Sequence, residues 1–296
     1  DASTRAVAAE LGLALVEPEG WTCCGSSAAH GRDHVLATVM PVRNLALIEK
    51  SGFTDVVAPC SACFFRFKSA LADMGFTPAA VQREGGPQPN HGPQKQQPLP
   101  AGEGEAGALR AAVEKRTRYA YQNKVRVLSV LDLLAELVGT QRVAARVTRP
   151  LRRLRVVSYY GCLLTRPPAI TGAVHAENPQ QMDALASACG ADAVDWSYKT
   201  DCCGGSLSLT RTELALELTR KLILAARSLD VDAIVTSCPM CHVNLDARQS
   251  QLGLDVRIPV LYITQLMGLA FGLPPGRLGL GKHMVSTAPV VHAAAG

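Results

Sequence analysis

Cysteine clusters repeat along this chain, and the repeat constrains the fold more than any other feature. One cluster is an adjacent cysteine pair followed by glycine, and the other is a pair separated by two residues. Their first copies start at Cys23 and Cys60 and their second copies at Cys202 and Cys238, offsets of 179 (from 23 to 202) and 178 (from 60 to 238). Because both clusters keep nearly one register, the sequence predicts two homologous halves.

Short apolar runs end in a cysteine at three places: residues 54–60, 154–162 and 232–238. Runs of this length and composition are typical of buried parallel strands. Leucine- and alanine-rich segments at 36–50 and 214–229 predict helices. Since strands alternate with helices, we predict an α/β protein with two pseudo-symmetric, open parallel-sheet halves of Rossmann-like type.

The repeat register predicts an N-terminal domain over 1–145 and a C-terminal domain over 146–296. The segment 84–107 is rich in Gly, Pro, Gln and Glu and has no counterpart in the second half. We predict that it is an inserted flexible loop. The residues 276–296 are predicted to form a loosely ordered tail.

Composition excludes several classes of function. The net charge is +5 and only 5% of residues are aromatic, so a nucleic-acid platform is not expected. No apolar run approaches the roughly 18–20 residues that span a bilayer. We therefore expect a cytoplasmic protein without a membrane span or an export signal. Because residue 1 is Asp rather than Met, we also expect that the chain is N-terminally truncated.

Ten cysteines in a chain of 296 residues favour metal or redox chemistry over a disulfide framework. Cys60, Cys162 and Cys238 come at predicted strand ends, where functional groups of α/β sheets gather. The pair Cys202-Cys203 precedes Gly204, Gly205 and a helical pattern, whose free N–H groups would stabilise thiolates. These two glycines would also let the backbone approach a bound group closely.

Three readings of the cysteines remain open from the residues alone. A redox-active pair of the thioredoxin type explains a Cys-x-x-Cys pair but leaves the adjacent pairs unexplained. Structural zinc takes four ligands, whereas the second half offers five candidate thiols besides Cys189. An iron–sulfur cluster, which several thiolates can reach through different irons, is favoured.

Other residues have weaker claims. Cys189 aligns with the apolar Leu11 in the repeat and is predicted to be packed rather than a ligand. His242 follows Cys241, and either a hydrogen bond near a cluster or a plain packing role fits. Arg32 and Arg211 recur after each Cys-Cys-Gly; they could bind anionic substrate groups or offset cluster charge, or lie on a helix surface.

The order of the second-half cysteines resembles the cysteine-rich CCG domain. Cys162 is followed by 39 residues (163 to 201), the pair Cys202-Cys203, 34 residues (204 to 237) and Cys238-Pro-Met-Cys241. Two such domains in tandem resemble the B subunit of heterodisulfide reductase. The resemblance implies a noncubane 4Fe-4S cluster with five cysteine ligands in each domain. It also implies that the pair of clusters splits a mixed disulfide into two thiols.

Carried over by position, the resemblance assigns ligands to both clusters. It assigns to the second, catalytic cluster Cys162, Cys202, Cys203, Cys238 and Cys241, and to the first Cys23, Cys24, Cys60 and Cys63. The fifth ligand of the first cluster would fall before residue 1, together with the opening strand of the family. We therefore expect the first cluster to be incomplete in this chain.

The resemblance also implies partners. Electrons would come from a ferredoxin-like C subunit, supplied by a flavin-containing A subunit, and the substrate would be a disulfide. Two alternatives stay open. CCG domains also occur as electron-transfer subunits of quinone-linked lactate, glycolate and succinate oxidoreductases, and a zinc-binding, non-enzymatic subunit would use the same thiols.

Overall fold

Parallel strands in two sheets form the framework of the protein, for which we obtained a computed structural model. The structure describes residues 1–76, 103–255 and 257–295. The larger sheet has the order β4-β3-β5-β6 and the smaller one pairs β1 with β2, all in parallel. The α/β prediction is thus confirmed. The strands are β1 (Asp55–Ala58), β2 (Arg126–Ser129), β3 (Arg155–Tyr159), β4 (Asp192–Ala193), β5 (Ala233–Thr236) and β6 (Val260–Tyr262).

Helices connect these strands, as a parallel sheet requires. The α-helices are α1 (Ala2–Glu10), α2 (Ser26–His30), α3 (His34–Lys50), α4 (Ser61–Asp73), α5 (Glu103–Thr117), α6 (Thr140–Arg146), α7 (Pro168–Thr171), α8 (Gln181–Ala188), α9 (Thr212–Ser228), α10 (Pro239–Ala247), α11 (Ile263–Ala270), α12 (Pro275–Leu278) and α13 (Ala288–Ala295). A π-helix covers Asp132–Gly139, and 3₁₀ turns cover Gly205–Leu207, Arg248–Gln251 and Leu280–Lys282.

The chain divides into two compact units. Unit 1 comprises Asp1–Leu15, Leu133–Cys162 and the chain from His175 onward, and unit 2 comprises Val16–Asp132 and Leu163–Val174. This division groups residues that pack together in space. The predicted boundary between 145 and 146 instead separates the two halves of the sequence repeat. That boundary stays a prediction.

Unit 1 has its core around the two central strands of the four-stranded sheet. Every residue of β5 is buried, and β3 is buried after its first residue. Such strands contact helices on both faces, which explains their nearly continuous apolar sequences. Helix α9 buries Ala215, Leu222 and Ala226 on one face, at the spacing expected of an amphipathic helix.

Unit 2 pairs β1 with β2, from Asp55 opposite Arg126 to Ala58 opposite Ser129. Helices α3 and α4 pack against each other beside this sheet. The Asp33 side chain caps α3 by accepting a hydrogen bond from the backbone N–H of Leu36 at 2.6 Å. This cap satisfies one of the free N–H groups of the first turn.

Two predictions about irregular segments need correction. Most of the predicted loop at 84–107 lies outside the described residues, but residues 103–107 are helical and begin α5. Within residues 276–295, α12, the 3₁₀ turn at Leu280–Lys282 and α13 follow one another and Leu278, Leu280 and Val290 are buried, so this part of the chain is not the loose tail that we predicted. Among the helices of the described segments, none has the length and apolar character to cross a membrane.

Candidate metal centres

The cysteines of unit 1 meet at the carboxyl edge of the four-stranded sheet. Strand β3 ends at Tyr159, three residues before Cys162, and its neighbour β5 ends two residues before Cys238. Cys238 is the N-cap of α10, and Cys241 lies in the first turn of this helix. Because β3 and β5 are adjacent and parallel, their ends bring these thiols to one place, as predicted.

The five thiols of unit 1 interact with one another. The Cys162 thiol donates a hydrogen bond to Cys202, which lowers the pKa of Cys202 to about 6 and raises that of Cys162. Cys241 hydrogen-bonds with both Cys203 and Cys238, and these contacts, together with burial, raise the pKa of the Cys241 thiol. The hydrogen bond to Cys241 lowers the pKa of Cys203. Each contact therefore favours a thiolate beside a neutral thiol.

Backbone N–H groups stabilise these thiolates, although not in the way that we predicted. The Gly204 N–H donates to Cys202 Sγ at 3.3 Å. A 3₁₀ turn follows at Gly205, and α9 begins only at Thr212, so the donors belong to a loop and not to the start of an α-helix. Gly204 has φ +76, and a Cβ there would lie 2.9 Å from the Cα of Ala215 in α9. The close approach of the backbone to α9 therefore explains why position 204 is a glycine.

Gly205 and Gly161 border the thiols directly. A Cβ at Gly205 would lie 3.4 Å from Cys203 Sγ, so this glycine fits the predicted role of letting the backbone approach the site. A Cβ at Gly161 would lie 2.9 Å from Cys241 Sγ. Gly161 was not predicted as a site residue, although its position between a strand end and Cys162 is a signal that the sequence offered.

Buried polar side chains hold the loop that carries the adjacent cysteine pair. The Asn244 amide donates to the carbonyl oxygen of Cys203 at 2.8 Å and accepts from the Ser208 hydroxyl at 2.6 Å. The Tyr159 hydroxyl donates to the carbonyl oxygen of Asp201 at 2.6 Å. Sequence reasoning missed both residues, because only the fold shows that they point to this loop.

Unit 2 brings three of its four cysteines together. The Sγ atoms of Cys24 and Cys63 are 3.1 Å apart. Hydrogen bonding to Cys63 lowers the pKa of Cys24 to about 7 and that of Cys60 to about 6, and it raises that of Cys63. Cys23 is exposed and accepts a hydrogen bond from the Gly25 N–H at 3.4 Å, but within the described residues no hydrogen bond joins it to the other three thiols.

The two units repeat one local geometry. Cys60 and Cys238 each follow a strand and cap a helix, and Cys63 and Cys241 lie in the first turn of that helix. The N–H that donates to Cys23 in unit 2 corresponds to the N–H of Gly204 in unit 1. The internal repeat that the cysteines predicted is therefore present in the backbone.

The spread of the thiols fits a group of several metal atoms. A single tetrahedral zinc with Zn–S bonds of about 2.3 Å needs sulfur atoms roughly 3.8 Å apart. Across residues 1–76, 103–255 and 257–295, no three cysteines have sulfur atoms that all lie within 4.8 Å of one another. An iron–sulfur cluster accepts ligands over a wider span and requires thiolates, which the pKa shifts favour. The residues present therefore fit such a cluster.

The remaining predicted residues lie apart from these thiol contacts. Arg32 and Arg211 are solvent-exposed, and in the described part of the chain no hydrogen bond joins either side chain to a thiol. Their role as anion-binding residues stays a prediction. Cys189 is fully buried at the end of α8, and burial raises the pKa of its thiol to about 12. This position agrees with the packing role predicted for Cys189.

His242 belongs to a separate polar group with Asp246 and His283, whose potential ligand atoms all lie within 4.8 Å of one another. These three side chains also make hydrogen bonds within the fold. The Gln265 amide nitrogen lies 2.8 Å from His283 Nε2. His242 Nε2 lies 3.0 Å from the carbonyl oxygen of Val260, and burial lowers the pKa of His242 to about 4. The His242 ring stacks on that of Tyr262, with centroids 4.3 Å apart, and its packing role stays a prediction.

Comparison with known proteins agrees with the geometry of the thiols. The family model for the cysteine-rich domain, CCG, matches residues 1–68 and 156–246, together more than half of the chain. A solved structure of a hypothetical protein from Helicobacter pylori has a TM-score of 0.70 and 11% identity. The match covers 96% of this chain and 48% of that protein. At 11% identity the likeness concerns the fold alone.

Two relatives cover nearly the whole chain. The 8-methylmenaquinol:fumarate reductase membrane anchor subunit of Wolinella succinogenes is 30% identical, over 96% of this chain and 90% of that protein. The B subunit of the ferredoxin/F420H2-dependent CoB-CoM heterodisulfide reductase of Methanosarcina acetivorans is 27% identical, over 96% and 87%. The chain thus belongs to the cysteine-rich CCG-domain family, and within it to the heterodisulfide reductase B-like proteins, iron–sulfur subunits that transfer electrons in oxidoreductases.

Proposed function

We propose that this protein is the catalytic iron–sulfur subunit of a heterodisulfide reductase-like complex, which reduces a disulfide to two thiols. The reaction consumes two electrons and two protons for each disulfide. The observation that carries this proposal is the convergence of five thiols at one sheet edge in unit 1. The likeness to the heterodisulfide reductase B subunit of Methanosarcina acetivorans supports it.

In this proposal Cys162, Cys202, Cys203, Cys238 and Cys241 hold a noncubane 4Fe-4S cluster. When bound, the cluster supplies one-electron transfer and iron that can bind sulfur. Cys203, Cys238 and Cys241 are buried, so their side of the site excludes water, whereas Cys202 is exposed and leaves a side open to substrate. The N–H groups of Gly204 and Gly205 stabilise the thiolates of the adjacent pair.

The proposal includes a second cluster in unit 2, held by Cys23, Cys24, Cys60 and Cys63. The fifth ligand expected for this cluster has no counterpart among the cysteines of the given sequence. As partners we propose a ferredoxin-like C subunit, which delivers single electrons, and a flavin-containing A subunit, which supplies electrons to the C subunit. The proposed location of the complex is the cytoplasm.

Metal analysis of matched variants tests the assignment of the thiols. We expect Cys203→Ala to lose iron and acid-labile sulfide from the unit 1 site after anaerobic purification. Cys189→Ala serves as the control, because it removes an equally buried thiol that lies apart from the five clustered thiols. Unchanged iron and sulfide in Cys203→Ala, or zinc as the bound metal in the wild type, would contradict the proposal.

Activity tests the substrate class. The wild-type complex is kept anaerobic and supplied with reduced viologen as the electron donor. We expect it to oxidise the viologen when the mixed disulfide of coenzymes B and M, or another mixed disulfide, is added. Cys203→Ala should abolish this turnover, whereas Cys189→Ala should keep it. Absence of turnover with every disulfide, while the iron content stays intact, would contradict disulfide reduction without contradicting the iron–sulfur assignment.

Electron transfer to or from a quinone is a second candidate, favoured by the 30% identity to the 8-methylmenaquinol:fumarate reductase subunit. In that case the same thiols would pass electrons between a quinol and a partner oxidoreductase. Bleaching of the wild-type iron–sulfur absorbance by a reduced menaquinone analogue, together with no response to disulfides, would support this candidate over the first.

A further inference from the structure

Lys199 is a buried cation close to the thiols of unit 1, and no step of the proposed reaction uses it. Its side chain is only 2% exposed. The ammonium nitrogen lies 3.1 Å from Asp183 Oδ1 and 2.9 Å from Asp195 Oδ1. Removing an ammonium group from water carries a large desolvation penalty, and burial of such a group is weak evidence for a stabilising role alone. Lys199 therefore calls for another explanation.

We propose that Lys199 is a positioning residue, which holds the segment before Cys202 against the strand end that carries Cys162. The identity of the two thiols as ligands rests on the proposed function. Their relative position, in contrast, is a property of the chain without metal and can be measured in that state.

The main chain of Lys199 provides the first link. Its carbonyl oxygen accepts hydrogen bonds from the N–H groups of Tyr160 at 2.8 Å and Gly161 at 3.1 Å. Two residues further along, the carbonyl oxygen of Asp201 accepts the hydroxyl of Tyr159 at 2.6 Å. Three consecutive residues that precede Cys162 are thus tied to the segment that precedes Cys202.

The side chain of Lys199 provides the second link. The Tyr160 hydroxyl donates to Asp183 Oδ2 at 2.7 Å, and the other oxygen of this carboxylate pairs with Lys199. Tyr160 and Lys199 are therefore joined twice, once through their main chains and once through Asp183. Two separate links restrain the orientation of the segments as well as their distance, because a rotation that keeps one link breaks the other.

The two ends of this double link carry two interacting thiols. Tyr160 lies two residues before Cys162 and Lys199 three residues before Cys202, and the two cysteines share a hydrogen bond. The contact between Cys203 and Cys241 depends on α10 and Asn244 instead. Loss of the Lys199 link should therefore separate the first pair of thiols and spare the second.

Disulfide trapping in the reduced, metal-free full chain measures both pairs at once. Diamide removes two electrons and two protons from a thiol pair in contact, and mass spectrometry of the peptides quantifies each disulfide. We expect Lys199→Met to slow formation of the Cys162–Cys202 disulfide about tenfold relative to Cys203–Cys241, which corresponds to a rise of roughly 1.4 kcal/mol in the activation free energy. Lys199→Arg, which keeps the cation, should restore most of the rate.

Lys221→Met is the matched control, because it removes an exposed ion pair with Asp201 beside the same loop. This control should leave the ratio of the two disulfides unchanged. Lys199→Met could slow both disulfides because it leaves the Asp183 carboxylate without its cation. In that case the double variant K199M/D183N, which has no carboxylate at position 183, distinguishes positioning from a general loss of structure. A selective loss of Cys162–Cys202 in that variant supports positioning, and a parallel loss or no loss overturns it. None of these outcomes depends on disulfide reductase activity.

Discussion

Gly161 lies so close to Cys241 that a Cβ at this glycine would be 2.9 Å from the Cys241 Sγ, although the two residues are 80 positions apart (from 161 to 241). Gly161 also has φ +68, a conformation in which a side chain costs about 1 kcal/mol. The contact joins the end of β3 to the first turn of α10. The thiols of unit 1 can therefore meet only if position 161 carries no side chain.

The first prediction follows from this contact. Gly161→Ala should lower the iron and sulfide content of the unit 1 site, because the methyl group displaces Cys241. Gly279→Ala provides the control, since Gly279 has φ +73 but no atom within 4 Å of the place that the new methyl group would take. Both variants carry the backbone penalty, so equal iron loss in the two would contradict a specific effect at Cys241. The measurement is iron per chain after anaerobic purification, together with a thermal melt.

The second prediction concerns Asn244, which holds the carbonyl oxygen of Cys203. Asn244→Ala should lower the free energy of unfolding by about 2 kcal/mol, because it removes the 2.8 Å hydrogen bond to the buried carbonyl of Cys203 and leaves only the longer one from the Thr219 hydroxyl at 3.4 Å. Chemical denaturation of the metal-free chain measures this loss. Asn178→Ala removes an exposed amide and should change stability little. Equal stability of Asn244→Ala and wild type would contradict this role of Asn244 and show that the Thr219 hydroxyl or water suffices for the carbonyl of Cys203.

The third prediction concerns the pH dependence of the Cys202 thiol in the metal-free chain. Its pKa is lowered to about 6 by hydrogen bonds from Cys162 and the Gly204 N–H, so its thiolate predominates above pH 6 and is lost below it. Alkylation of Cys202 by iodoacetamide should therefore rise with a midpoint near pH 6. Cys189, whose pKa is raised to about 12, should stay unreactive at neutral pH.

Cys162→Ala is the informative variant for this measurement. It removes one hydrogen bond to the Cys202 thiolate, so the midpoint of alkylation should rise by about one pH unit or more. A midpoint that stays in place would show that Gly204 alone lowers the pKa of Cys202.

The fourth prediction concerns the C-terminal segment. The Asp246 carboxylate accepts the N–H groups of Met284 at 2.7 Å and Val285 at 3.0 Å, and Asp246 is 4% exposed. Asp246→Ala removes both acceptors and should increase hydrogen exchange at these two amides. Asp246→Asn, which keeps one acceptor oxygen, should show a smaller increase. Unchanged protection in Asp246→Ala would mean that the apolar contacts of Leu278, Leu280 and Val290 suffice.

Tertiary contacts explain why the tail and the loop donors differed from the predictions. In the C-terminal segment, the N–H groups of Met284 and Val285 bond to Asp246, which lies 38 positions before Met284. Gly204 has φ +76 and passes so close to Ala215 of α9 that a Cβ at position 204 would lie 2.9 Å from the Ala215 Cα, and α9 begins only at Thr212. Neither contact is visible as a local pattern.

The sequence by itself determined the repeat, the parallel strands and the positions of the cysteines at their ends. Local spacing suffices for these features, because strand length and the period of apolar residues are short-range properties. Only the tertiary structure decided which thiols touch, which glycine lies against a thiol and which carboxylates pair with the buried Lys199. Each of these depends on atoms from different segments of the chain, and their distance is set by packing rather than by any local preference.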